Sequence, residues 1–299
     1  DKKGDNHMDN VKRQIGYACP DTINGRITGR GVRAAILDTG AYPHPDFKGR
    51  VIGFADMQHG RCGLYDDSGH GTHVAGILAG DGKMSGGRYA GMAPGVELLI
   101  VKILDEKGEG NAMHILRGME HVRKVNKKNK IALVNLSLGA GVGLDPVKEN
   151  RITEAVEELC NCGITVVVSA GNYGLQSRKV SVPGTNEKVL TVGAYRRSGM
   201  GRYCSGTGRE RICVWKPDIF APGEGIVSCG YEAVNGESCF KRKEFFPYIR
   251  KSGASMATPV VTGALALAKS KYPELEGEEL KRYLLKRCGR SQRVEQLLA

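Results

Sequence analysis

The sequence predicts an α/β protein with a mainly parallel sheet held between layers of helices. Two observations carry this: short apolar runs of β character recur along the chain, and stretches with helical spacing separate them. Such alternation needs crossover connections between parallel strands, and helices must then cover both faces of the sheet. At 299 residues and 40% hydrophobic, the chain can bury one large core. It contains no run of about 18 apolar residues, so no membrane-spanning helix is expected.

Residues 1–30 are polar and Gly-rich and read as a lead-in segment; a single domain is expected over 31–299. The run Gly31–Leu37 is a buried strand that delivers Asp38 at its carboxyl end. A turn-rich Tyr42-Pro-His-Pro-Asp46 segment follows. Asp66-Asp67-Ser-Gly-His70-Gly-Thr-His73-Val-Ala-Gly76 is a tight loop entering a close-packed helix, with His70 at its mouth and His73 pointing elsewhere as a structural residue. The glutamate of a zinc-binding H-E-x-x-H helix is missing, which removes the metalloprotease reading. Glu97–Leu104 is a strand, Asp105–Gly110 a polar loop, and Asn111 opens a helix in which Ile115, Leu116, Met119 and Val122 recur at helical spacing. Met113 and Met119 are assigned to the core. Ile131–Leu136 forms a strand running into Ser137, Glu149–Cys162 is helical, and Ile164–Val168 is a buried strand ending in Ser169-Ala-Gly-Asn172. Val189–Val192 adds another strand, residues 196–253 read as strands and surface loops, and helices are expected from Ser255 and over Glu274–Cys288.

A net charge of +12 raises an anionic partner, but the basic residues are scattered, with clusters at Arg196-Arg197, Lys241–Lys243 and Lys281–Arg293. No aromatic interleaving or nucleic-acid motif accompanies them, so they are read as solvated surface, with no nucleic acid and no membrane as partner. Nine cysteines form an odd count with no repeating pattern, which favours free thiols. Cys160-Asn-Cys162 does not have zinc-knuckle spacing.

The stretch Gly253-Ala-Ser255-Met-Ala-Thr-Pro259 sets a serine between small residues at the start of a tightly packed helix. A helix start offers unpaired N–H groups and partial positive charge beside the hydroxyl; on this heptapeptide alone a plain N-cap is an equal reading. Asp38 and His70 decide between them. A serine, a histidine and an acid are the set that makes a hydroxyl nucleophilic at neutral pH. Asp38, Ser137 and Asn172 all fall beyond strand carboxyl ends, where ligands of such sheets gather.

The runs Ala35–Gly40, His70–Gly76, Ser137–Gly139, Ser169–Asn172 and Gly253–Pro259 together resemble the subtilisin-like serine proteases, the subtilase family, in that family's Asp, His, Ser order. The resemblance implies a three-layer subtilisin-like fold for the catalytic domain and a serine endopeptidase working through an acyl-enzyme. It implies Asp38, His70 and Ser255 as the triad, with Asn172 and the Ser255 N–H binding the oxyanion. It also implies that Ser137, Leu138 and Gly139 on one side, and Gly108, Glu109 and Gly110 on the other, flank a polypeptide substrate bound as an added strand. Ser169, Ala170 and Gly171 would form the opposite wall of the pocket for the residue before the cut. No acid stands near Val180–Pro183, so a sizeable apolar side chain is expected there. Asp66, Asp67 and Glu109 are set beside neighbouring subsites, where they would favour basic groups.

The chemistry requires no cofactor. The resemblance raises a structural calcium at Asp46, but the loop Gly80–Tyr89 is basic, and Lys83 and Arg88 oppose a cation needing six to eight oxygens. The family's inhibitory propeptide is not seen ahead of Asp38, so a propeptide or protein inhibitor outside this sequence is a candidate partner. No leader is visible, and with the thiols this favours an intracellular, cytoplasmic enzyme; a secreted one with leader and propeptide removed is the alternative. The functional alternative is a catalytically silent subtilase fold used for binding or regulation.

Overall fold

The computed structural model describes residues 11–12, 27–137, 145–172, 180–195, 208–210, 214–230 and 247–288. Its centre is a seven-stranded sheet: β1 (Arg33–Asp38), β2 (Val51–Asp56), β3 (Glu97–Lys102), β4 (Leu133–Leu136), β5 (Thr165–Ser169), β6 (Leu190–Tyr195) and β9 (Ile219–Pro222). They lie in the order β2-β3-β1-β4-β5-β6-β9, and every neighbouring pair is parallel. Between β6 and β9 lie the short strands β7 (Gly208–Glu210) and β8 (Val214–Lys216), an antiparallel pair. Strands β10 (Ile226–Cys229) and β11 (Tyr248–Lys251) form a second one.

Side-chain alternation explains the layers. In β1, Ala34 and Ile36 face one way and Ala35 and Leu37 the other, as the pleat requires, and all four are fully buried. The first face packs against helices α1 (His70–Ala79), α4 (Ala254–Lys271) and α5 (Gly277–Cys288). The second packs against α2 (Ala112–Asn129) and α3 (Pro146–Asn161). Helices on both faces explain why the strands read as near-continuous apolar runs. Asn111 and Asp145 cap α2 and α3 by accepting the His114 and Val147 N–H groups, which stops each helix one residue before its first apolar turn.

Strand β2 was not foreseen. Its Val-Ile-Gly-Phe-Ala-Asp run carries Gly53 at a register shift against β3, and every residue is only half-buried, as befits an edge strand. Two single-residue readings also fail. Met113 is 48% exposed, on the outer side of α2, whereas Met119 is buried as expected. Lys281 is 6% exposed rather than solvated, because its stem lies along α5 while the ammonium donates to the Glu187 carbonyl. Arg196, Arg197, Lys241–Lys243 and the cysteines at 19, 204, 213 and 239 lie outside the described residues. Cys62, Cys160, Cys162, Cys229 and Cys288 are free thiols. No helix among the described residues is long and apolar enough to cross a membrane.

Candidate active site

The chain leaves β1 toward β2 and leaves β4 toward β5, in opposite directions, so a topological switch point, where ligands of such sheets bind in a crevice, lies between the carboxyl ends of β1 and β4. Asp38, fully buried, closes β1 at the crevice floor. Its Oδ1 accepts the Thr39 N–H at 2.7 Å and lies 2.7 Å from His70 Nδ1, leaving Oδ2 buried without a protein partner. One carboxylate oxygen thus fixes which imidazole nitrogen carries the proton, and Nε2 is turned away from the acid. Burial opposes a charged imidazole, but the charge and hydrogen bond of Asp38 outweigh it, and the His70 pKa is raised above its ordinary 6.5.

His70 is the first residue of α1, and Asp66 holds that helix start. Asp66 Oδ1 accepts from Ser68 N, Gly69 N and the Thr39 hydroxyl at 2.8–3.0 Å; Oδ2 accepts from the N–H and hydroxyl of Thr72. The Thr39 hydroxyl in turn receives the Gly71 N–H at 2.8 Å. A Cβ on Gly71 would stand 2.1 Å from the Gly40 carbonyl oxygen, so only glycine lets α1 approach β1 this closely. Asp67 lies 2.6 Å from the Lys102 ammonium, which also donates to the carbonyls of Thr39 and Leu104 at 2.8 and 2.7 Å. Both aspartates therefore bind within the scaffold, whereas Glu109 is exposed. Lys102 is wholly buried. Its sequence signal was a single cation inside an apolar strand. His73 is structural: its Nε2 lies 3.1 and 3.2 Å from the carbonyls of Ile226 and Ile249, and burial depresses its pKa to about 3.

Ser255 is the second residue of α4. The chain enters through Gly253 at φ 146 and ψ 170, a conformation open essentially to glycine alone. The Ala254 N–H is taken by Asn172 Oδ1 at 2.9 Å, which directs the other end of the Asn172 amide away from that bond. A Cβ on Gly253 would lie 3.3 Å from Asn172 Nδ2, so the amide donors stand directly beside the serine turn. The Ser255 hydroxyl donates to the Ser137 carbonyl at 2.9 Å. Ser137, buried at the end of β4, is held by the Asn135 side chain, whose other end accepts the Thr262 hydroxyl of α4. Leu138 and Gly139 lie outside the described residues.

The segments expected to flank a substrate differ in exposure. Asp105–Gly110 is an exposed turn bonded to itself: Asp105 Oδ1 accepts the N–H groups of Lys107 and Glu109, and Gly108 sits at φ 78. Ser169, Ala170 and Gly171 are buried, with the Ala170 carbonyl accepting the Ser181 N–H at 3.4 Å. Buried Ser181 Oγ has no partner among the described residues, and the stretch Val180–Asn186 carries no acid.

Asp46 does not present the oxygens a calcium ion needs. Its Oδ1 accepts the Met84 N–H at 3.1 Å, and its Oδ2 accepts the Tyr248 hydroxyl at 2.7 Å. The Arg50 guanidinium donates to its carbonyl, and its remaining neighbours are the His44 imidazole and the Cys229 thiol. One carboxylate among nitrogen, sulfur and a cation falls far short of a calcium shell.

Comparison with known proteins fits this geometry. The family model described as the subtilase family matches residues 29–297, nearly the whole chain. The chain belongs to the subtilase family. This subtilase is 39% identical over 279 residues to serine protease AprX of Bacillus subtilis (strain 168), covering 87% of this chain and 62% of AprX. It is 33% identical to an intracellular serine protease of Paenibacillus polymyxa, covering 98% of this chain and 86% of that protein. A crystal structure of a cold adapted subtilisin-like serine proteinase superimposes with a TM-score of 0.73 at 28% identity, covering 91% of both chains. The subtilase fold expected from the sequence is therefore the fold observed.

Proposed function

We propose that this subtilase is a serine endopeptidase in which Ser255 attacks the peptide carbonyl, His70 takes the serine proton and returns it to the leaving amine, and Asp38 steadies the imidazolium. The observation that carries the reading is the buried 2.7 Å contact between Asp38 Oδ1 and His70 Nδ1, in the crevice where the α4 start presents Ser255. The acyl-enzyme forms as the scissile C–N bond breaks; water activated by the same imidazole then releases the acid. The Ser255 N–H and the Asn172 amide are the two donors for the oxyanion. For attack, the serine hydroxyl turns from the Ser137 carbonyl to His70 Nε2, a rotation about one side-chain bond.

An extended polypeptide would run between Gly108–Gly110 and Ser137–Gly139, and the acid-free wall of Ser169–Gly171 with Val180–Pro183 favours an apolar side chain before the cut. An inhibitory propeptide or protein inhibitor would occupy the same crevice. The five free thiols among the described residues support a reducing, cytoplasmic setting. A silent scaffold is the second reading, and the bond between Ser255 and Ser137 is the observation that favours it.

Labelling with a fluorophosphonate probe, read by intact mass, separates them. The protein should gain one adduct and Ser255→Ala none, with peptide hydrolysis falling by a factor on the order of 10⁴–10⁶ in the variant. A folded wild type that takes no adduct would instead identify the scaffold.

A further inference from the structure

Behind α1, away from the serine, three side chains of metal-binding type converge. His44 and Asp46 come from the turn Pro45–Phe47 that follows β1, and Cys229 ends β10; all three are buried. Their ligand atoms lie within 4.8 Å of one another. His44 Nδ1 is 3.7 Å from Asp46 Oδ1, and Cys229 Sγ is 3.6 Å from Asp46 Oδ2. Around a tetrahedral zinc, with bonds of roughly 2.0–2.3 Å, ligand atoms stand about 3.3–3.8 Å apart. The His44 and Cys229 contacts reach the two different oxygens of the Asp46 carboxylate, each at a length that ligands of one shared ion show.

The surroundings are those of a ligand set. His44 Nε2 lies 2.9 Å from the Pro247 carbonyl, so its proton is held there and the Nδ1 lone pair faces Asp46. The Tyr248 hydroxyl donates to Asp46 Oδ2 at 2.7 Å and so holds the carboxylate from the β11 side. The loop Gly80–Tyr89 closes over the cluster through the Met84 N–H.

We propose that His44, Asp46 and Cys229 form a binding site for one thiophilic divalent cation of the zinc class. Nitrogen, sulfur and a single carboxylate select such an ion over calcium and magnesium, which take oxygen shells. Coordination replaces the Cys229 S–H bond with an S–metal bond, and the proton passes to solvent. The cation displaces the Asp46 N–H from His44 Nδ1 and ties three separate segments together: the turn after β1, the β10 end and, through Tyr248, the β11 start. The site uses none of the residues assigned to peptide hydrolysis.

The test is a cobalt titration of the full chain after chelator treatment. One equivalent of Co²⁺ should give a thiolate-to-cobalt charge-transfer absorption that Zn²⁺ abolishes by displacement. Zn²⁺ should raise the melting temperature, and Ca²⁺ should leave it unchanged. Cys229→Ser and His44→Asn, each checked for native circular dichroism, should lose the absorption and one equivalent of bound metal. A Cys62→Ser/Cys162→Ser variant, lacking the two exposed thiols among the described residues, should keep both. The proposal fails if the folded wild type gives no charge-transfer band, or if the band survives in either folded variant of the cluster.

Discussion

His70 and His73 lie three residues apart on α1 and are driven in opposite directions. Burial acts against the charged form of each, but His70 has the Asp38 carboxylate to offset it, whereas His73 faces carbonyls, with Lys251 and His70 adding repulsion. Neutral His70 is the base the proposed reaction needs, so kcat/KM should rise with pH through a midpoint above 6.5. Replacing Asp38 with Asn removes the opposing charge and leaves the burial. The acid limb of the pH–rate profile should then move to lower pH, with a fall in rate on the order of 10⁴. An unmoved limb would show that another group sets it. At this scale the sequence singled out Asp38, His70 and Ser255 by the small residues that flank them. It was silent on Lys102, whose partners are two backbone carbonyls and an acid that only the folded chain brings together.

Among the elements, α1 has the tightest tolerance. Its first turn lies so close to the end of β1 that no Cβ fits between Gly71 and the Gly40 carbonyl, and the Asp66 bonds, the Thr39 hydroxyl and the acid–histidine contact all depend on that approach. Gly71→Ala should force the helix outward, costing about 1–3 kcal/mol of stability and lowering kcat more than it raises KM. Gly63, where an added Cβ meets nothing within 4 Å, is the control; its alanine variant should stay within about 0.5 kcal/mol of wild type in thermal melts. The helices and buried strands were legible because period and apolar content agree over many residues. Strand β2 was not, since a short, half-buried edge with a glycine at its bulge has no periodic signal of its own. The bonding partners of the two aspartates before His70 were illegible for a related reason. Their charge suggested substrate contact, and nothing in the linear sequence reveals a cap or a buried lysine partner.

For the whole molecule, the two histidines make stability depend on pH with opposite signs. The raised His70 pKa contributes stability in full below 6.5, and this is lost as pH climbs through the folded value. The depressed His73 pKa acts in acid: between 6.5 and about 3 the unfolded chain binds a proton that the native one refuses. His73 alone should therefore remove about 1.4 kcal/mol for each pH unit in that window. A His73→Gln variant should show a flatter acid limb in melting temperature against pH than wild type; parallel curves would show that other groups carry acid unfolding. The three-layer architecture was readable in advance because the alternation of strands and helices constrains topology strongly.

Helix α4 is buried without interruption from Met256 to Ala268, sheathed by the sheet, α1 and α5. The residue proposed to attack substrate is therefore anchored in the part of the chain with least freedom to open locally, while Asp105–Gly110, one rim that would grip substrate, is an exposed turn. Fraying or nicking of that turn can weaken grip on a polypeptide without displacing the serine. Losing the serine's position requires the cooperative unit as a whole to come apart.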